Sequence, residues 1–332
     1  MTAFGLLAGV AQAQTVLTAS SYLPANNVIT EDILMAWAQD VEHVTEGRVK
    51  VELLAKPVTA PAGTFDAVRD GLADVSWTVD GLTPGRFTLS RMAELPGLGN
   101  SAEATTIAYQ RTYDKFFAQA DEHAGVKLLG VFTHGPGNIF NSMHPIETVA
   151  DAEGLKIRAA GGVMTDVVAA LGATPIVKPA SEVFELLNAG IIDGVMFPAG
   201  SIAGFNLQET IKFGTLVPGG LYNAAFSMFM NEAAFETLSP QDQEAVMSVS
   251  GEVLAKRAGI ALDEDDRVGL AAIQANPEIS ITTASQGFID EMREKTASVE
   301  QQWIDQAAAK GVDGAAALEY FREQIKELSA SN

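Results

Sequence analysis

Strand-like and helix-like hydrophobic patterns alternate along the chain. "TVLTASSYL" (15–23) reads as a strand, and "VITEDILMAWAQDVEHVT" (28–45) places Ile29, Ile33, Leu34, Trp37 and Val41 on one helical face before Gly47 stops it. "RVKVELL" (48–54) alternates as a strand, and "FDAVRDGLADVSWTV" (65–79) gives a short helix, a turn at Gly71 and another strand. The pattern restarts at "GVKLLGVF" (125–132), then at "LKIRAA" (155–160), "GVMTDVVAALGATPIV" (162–177) and "SEVFELLNAGIIDGVMF" (181–197). Such βαβ punctuation predicts two α/β units whose sheets are parallel in large part. "LYNAAFSMFMNEAAF" (221–235) reads as a buried strand. Beyond it, Ser239 as N-cap and Pro240 at the first helical position open a helix that little interrupts before Asn276-Pro277. At 1.5 Å per residue its length of about 36 residues is roughly 54 Å, enough to run across both units. The expected fold is therefore α/β: two lobes joined by strands and one long helix, with a cleft at the strand ends where such folds bind ligands.

Composition narrows the function. The 332 residues, 47% hydrophobic, suffice for two cores. Forty-two acidic residues against 21 basic ones, a formal charge of −21, argue against nucleic acid or anionic lipid as partner and read as solubility. The opening "MTAFGLLAGVAQAQ" carries an apolar run and a small-x-small cleavage pattern, Ala11-Gln12-Ala13, without the usual basic residues ahead of it. It reads either as a signal-peptide remnant, residues 1–13 with a mature start at Gln14, or as an apolar tail. No other stretch reaches the roughly 18 apolar residues of a membrane span. With no cysteine, thiolate chemistry and Cys-ligated metals are excluded.

Enzyme motifs fail one by one. "PGLGNSA" (96–102) matches G-x-G-x-x-A, but no clear strand feeds it, so it reads as a loop. "AGSIAG" around Ser201 has alanines where a nucleophile elbow needs glycines. His43, His123, His134 and His144 are scattered, with no paired ligand spacing, and read as surface or hydrogen-bonding residues. Asp265 and Asp266 read as a solvated helix face. No cofactor is expected.

One residue stands out. In "DAEGLKIRAAGG" (151–162) a short apolar strand runs into Arg158 and then into small residues that could not cover a charge. Taken alone, Arg158 is either an interdomain ion-pair partner or a ligand group, since its planar fork suits a carboxylate and strand ends are where α/β folds present such groups. The surrounding text, "EGLKIRAAGGVMTDVVAALGATPIVKPASEVFELLNAGIIDGVMFP", resembles the substrate-binding proteins of tripartite ATP-independent periplasmic (TRAP) transporters. So do, in order, "GRVKVE", "DAVRDGLADVSWT", "TPGRF", "ELPGL", "NSMHPIET" and "PGGLYNAAFSMFMNEAAFETLSPQDQEA". The resemblance implies a periplasmic receptor, with lobes of about residues 14–134 plus 224–262 and 135–223 plus 263–332, that closes on a small organic anion by hinge motion. It also implies membrane subunits of a TRAP transporter as partners, a monomer without direct membrane insertion, and Arg158 as the grip on the ligand's carboxylate.

Departures from the family pattern shape the expected pocket. Gly137 in "HGPGNIFNS" stands where many members carry an arginine, Phe197 in "GVMFP" where many carry an asparagine, and Ala180 where a phenylalanine often precedes "SEV". One cation is lost, an aromatic wall is gained and space opens opposite it. Trp77, Tyr22 and Tyr222 complete the candidate set, with domain core as the competing role for Trp77 and Tyr22. An aromatic or bulky apolar monocarboxylate is therefore expected over a linear dicarboxylate or sugar acid. An exported enzyme using the same cleft is the rival from another class.

Overall fold

The protein is described here by a computed structural model covering residues 14–330. The segment expected as a signal-peptide remnant, 1–13, lies outside the described residues. A first α/β run comprises β1 (Thr15–Ala19), α1 (Ala36–Val44), β2 (Val49–Leu53), α2 (Thr64–Arg69), β3 (Val75–Val79), α3 (Ala102–Thr112) and β4 (Val126–Thr133). The second comprises β5 (Asn138–Asn141), β6 (Lys156–Ala159), α4 (Gly162–Ala170), β7 (Thr174–Val177), α5 (Val183–Asn188), β8 (Gly194–Phe197), α6 (Ala199–Gly204) and β9 (Phe213–Leu216). After β10 (Ala225–Asn231) come α7 (Glu232–Thr237), α8 (Pro240–Ser248), α9 (Glu252–Ala275), β11 (Ser280–Thr283), α10 (Gln286–Ala309) and α11 (Gly314–Ala330). The apolar face expected of the first helical segment is buried at all five positions, its opening turns, Ile29–Met35, being widened to a π-helix.

Two sheets result, ordered β2-β1-β3-β10-β4 and β11-β9-β5-β8-β6-β7. The parallel arrangement expected from the βαβ pattern holds for β1 with β2 and β3, for β6 with β7 and β8, and for β9 with β11. β5 and β10 run antiparallel to their neighbours. Both follow short connectors between the sheets, residues 134–137 and 217–224, which leave no room for the helical crossover that a parallel strand needs. β10 pairs on both sides and is buried at every position, as its continuous apolar sequence requires.

The single long helix expected after Ser239 is two helices. Ser239 does cap α8, its hydroxyl accepting the Asp242 N–H, but Gly251, at φ 59° and ψ −130°, breaks the run. Its N–H donates to the carbonyl of Leu129 in β4, and the neighbouring Ser250 hydroxyl receives the Trp37 indole N–H. Tertiary hydrogen bonds thus outweigh an uninterrupted helical pattern. What remains, α9, has 24 residues, about 36 Å, and still spans both sheet regions: it packs on α3 and β4 beside the first and on α6 and β11 beside the second.

Asp265 and Asp266 are not the solvated face that their sequence suggests: both are largely withdrawn from water, and burial pushes both pKa values up, whereas Glu264 beside them is exposed. Asp263 accepts the Ser101 hydroxyl and the N–H groups of Ala102 and Glu103 at the start of α3. Asp266 accepts the Gly200 N–H at the start of α6, and its pKa is pushed up to about 7 by burial. The helix is therefore pinned by carboxylates to one helix from each region.

Candidate functional site

β3, β6 and β8 converge where the two sheets face each other, and their side chains enclose a cavity of about 70 Å³. One water needs roughly 10–15 Å³ on this scale, so the space holds several waters or a small ring, and it adjoins a second pocket of about 280 Å³ across His134, Ser201 and Phe226. Arg158, the third residue of β6, is 3% exposed. Its Nε donates to the Lys178 carbonyl at 2.7 Å, while its two terminal nitrogens bond to nothing among the described residues. No acid among the described residues pairs with it, and burial pushes its pKa down to about 10, so it stays charged at neutral pH. A buried, uncompensated guanidinium is costly to hold in a fold.

Aromatic rings surround this charge. Phe197 ends β8 with its ring centroid 4.9 Å from the Arg158 guanidinium carbon, and it stacks on Phe205 at 5.4 Å with 12° between planes. Trp77, in the middle of β3, is 1% exposed and its indole N–H reaches Ser21 Oγ at 3.2 Å; it belongs to the core and lines the cavity as well. Tyr22 lies against it with centroids 4.4 Å apart. Tyr222 lines the opposite wall, its hydroxyl donating to the Met196 carbonyl at 2.9 Å. Ala180 also faces the cavity.

Gly137 does not line it. Its N–H donates to the Tyr222 carbonyl, and a β-carbon at Gly137 would fall inside the Tyr222 ring. The room where an arginine stem would run is filled by tyrosine, so the lost cation is replaced by packing rather than by open space.

Sequence reasoning missed several wall residues. Phe205, Phe226, Leu82 and His134 all face the cavity. Phe226 had a usable signal, since it stands opposite Val79 and two residues from Met228, which pairs with Trp77. His134 had none: its Nδ1 bonds to the Gly135 carbonyl, its Nε2 accepts the Ala224 N–H at 3.0 Å, and burial pushes its pKa down to about 4. It is thus a neutral connector residue with both nitrogens committed.

The cleft is closed above the cavity. Gly81, in the turn after β3, touches the backbone at Gly161, and Glu94 accepts the Val163 N–H at 2.8 Å at the start of α4. A β-carbon at Gly162 would strike the Glu94 carboxylate, so a glycine is needed for that approach. The Arg91–Asp166 ion pair adds a second tie between the same segments.

Comparison with known proteins agrees with this architecture. A protein of Comamonas testosteroni named outer membrane transporter protein TsaT is 30% identical over 319 residues, 96% of this chain and 94% of its own. A TRAP periplasmic solute-binding protein from Bordetella bronchiseptica, solved with bound (R)- and (S)-mandelate, superposes with a TM-score of 0.93 at 46% identity, covering 95% of this chain and 99% of its own. Another, from Rhodoferax ferrireducens and solved with copurified benzoate, superposes with a TM-score of 0.89 at 27% identity, covering 96% and 99%. The family model for bacterial extracellular solute-binding proteins, family 7 (DctP), matches residues 19–306, and the chain belongs to that family.

Proposed function

We propose that this protein is a periplasmic receptor that closes over one aromatic monocarboxylate and delivers it unchanged to the membrane subunits of a TRAP transporter. The observation that carries the reading is Arg158: one buried cation without a counter-ion, set among the rings of Phe197, Trp77, Tyr22 and Tyr222. A carboxylate would accept two parallel N–H groups from the free terminal nitrogens, and the ring would bury its faces against the walls. A dicarboxylate would leave its second charge among apolar groups. The ligands named for the Bordetella and Rhodoferax proteins, mandelate and benzoate, support the same class. The two sheet regions would act as the lobes, 14–134 with 224–262 and 135–223 with 263–332, moving about α9. Export through the N-terminal segment and a monomeric state complete the proposal.

The test is mass spectrometry of the acid that copurifies, followed by a thermal-shift screen. Benzoate and mandelate should raise the melting temperature by several degrees at saturating concentration, with succinate and glucuronate silent. Incubation should return the acid intact. A response to succinate with none to any aromatic acid would overturn the ligand class, and product accumulating with time would overturn the receptor.

A further inference from the structure

Six polar side chains line the cavity: Tyr22, Trp77, His134, Arg158, Ser201 and Tyr222. Trp77 is committed to Ser21, His134 to Gly135 and Ala224, and Tyr222 to Met196. Ser201 is shared with an adjoining pocket that also reaches Asp265 and Asp266. Tyr22 and Arg158 line this cavity and not the adjoining one. The Tyr22 hydroxyl is buried and donates to no acceptor among the described residues, while the Val79 backbone lies close on its accepting side. Burial pushes its pKa up, against smaller opposing pulls from the Val79 backbone and the Arg158 charge, so it is a neutral O–H close enough to the guanidinium to sense it.

A buried hydroxyl with no acceptor and a buried guanidinium whose two terminal nitrogens are free each call for a partner. Here two of them share one chamber, which no aspartate or glutamate lines. We propose that the Tyr22 hydroxyl is the second donor to the ligand's carboxylate, completing with Arg158 an all-donor chamber that selects aromatic carboxylates lacking an α-ammonium group. This rests on the aromatic-acid reading above and deepens it. A carboxylate offers about four lone-pair directions, enough for two guanidinium N–H groups and one O–H. An ammonium one carbon away would be desolvated beside Arg158 with no anion to meet it. An α-hydroxyl, by contrast, brings no charge.

The experiment measures binding by calorimetry on the whole protein. Tyr22→Phe keeps the ring and removes only the hydroxyl. It should weaken benzoate and mandelate about tenfold or more, because a hydrogen bond to a charged group is lost. The denaturation midpoint of the unliganded variant should stay level or rise, since a buried hydroxyl with no acceptor is gone; a ring with a merely structural role predicts no change in affinity. A second comparison needs no variant: phenylglycine, the ammonium counterpart of mandelate, should bind the parent protein at least 100-fold more weakly. Parent-like affinity in Tyr22→Phe, or comparable binding of phenylglycine, overturns this inference and leaves the aromatic-acid reading standing. If the parent takes neither benzoate nor mandelate, both fall together.

Discussion

Buried charge is handled in opposite ways at the cavity and at the closure above it. In the cavity, Arg158 carries a full positive charge with no anion among the described residues to balance it. At the closure and along α9, three acids are answered from within the protein. Glu94 accepts the Val163 N–H in the first turn of α4, Asp263 the N–H groups of Ala102 and Glu103 in α3, and Asp266 that of Gly200 in α6. Helix starts offer unsatisfied N–H groups and a partial positive charge, so carboxylates placed there hold structure together. The Arg158 guanidinium makes one bond of this kind, from Nε to the Lys178 carbonyl, and leaves its two terminal nitrogens free among the described residues. The contrast separates charges balanced from within the fold from one that is not, and on the proposed function that one is the ligand's grip.

The sharpest way to break this contrast is to remove the unbalanced charge. Arg158→Ala should weaken aromatic-acid binding by roughly 30-fold or more, the result of losing a desolvated partner worth about 2 to 5 kcal/mol. Its unliganded stability should not fall correspondingly, since the deleted charge has no counter-ion among the described residues and only its bond to the Lys178 carbonyl is lost. Arg158→Lys should also bind weakly, because a point charge cannot present two parallel N–H groups. Calorimetry and urea denaturation on both variants read the two quantities. A large stability loss with unchanged affinity would move Arg158 into the structural class.

Glu94 tests the other side, through pH. Burial pushes its pKa up to about 7 from an ordinary 4.5, with the Val163 amide, Arg91 and the Ala225 amide pulling the other way and Asp166 adding to the rise. The folded state therefore holds a proton that the unfolded chain releases between pH 4.5 and 7. The stability from this group is fully present below pH 4.5 and is lost as pH rises through about 7, some 3 kcal/mol in all. Glu94→Gln can still accept the Val163 N–H but cannot titrate. Urea denaturation at pH 5 and pH 7.5 should show the parent losing stability relative to the variant across that window. Parallel profiles would mean that Glu94 is not buried as a proton-binding tie.

These two regions also differ in how far the sequence revealed them. Arg158 was legible because a charge followed by Ala159, Ala160 and two glycines has no local cover, a feature of a few adjacent residues. The α/β order was legible for the same reason, since each strand or helix carries its own period. The acids were not legible: nothing near Glu94 shows that α4 will begin at its carboxylate, and Asp265-Asp266 looks like any polar helix face. The break at Gly251 was hidden likewise, because apolar spacing runs through it and only the Leu129 carbonyl and the Trp37 indole decide it. Gly137 was expected among the ligand-binding residues, and its place off the cavity was hidden because the residue that fills its space, Tyr222, is distant in sequence.

The smallest predicted effect concerns the ring that covers the unbalanced charge. Phe197 lies over the Arg158 guanidinium and is braced from behind by Phe205, and on the proposed function it would also meet the ligand ring. An aromatic pair is worth about 0.5 to 1.5 kcal/mol beyond its buried area, and a desolvated cation over a ring about as much. Phe197→Asn restores the amide common in the family's text and should lower benzoate affinity about 2- to 10-fold. It should do so without the collapse expected of Arg158→Ala, because the carboxylate grip remains. The amide would also give a second polar group on a ligand something to bond, so the gap between benzoate and succinate should narrow from both sides. A thermal-shift comparison of the two acids against parent and variant measures that gap directly. An unchanged gap would show that Phe197 only shields Arg158 and that selectivity for rings comes from the Trp77 and Tyr222 walls.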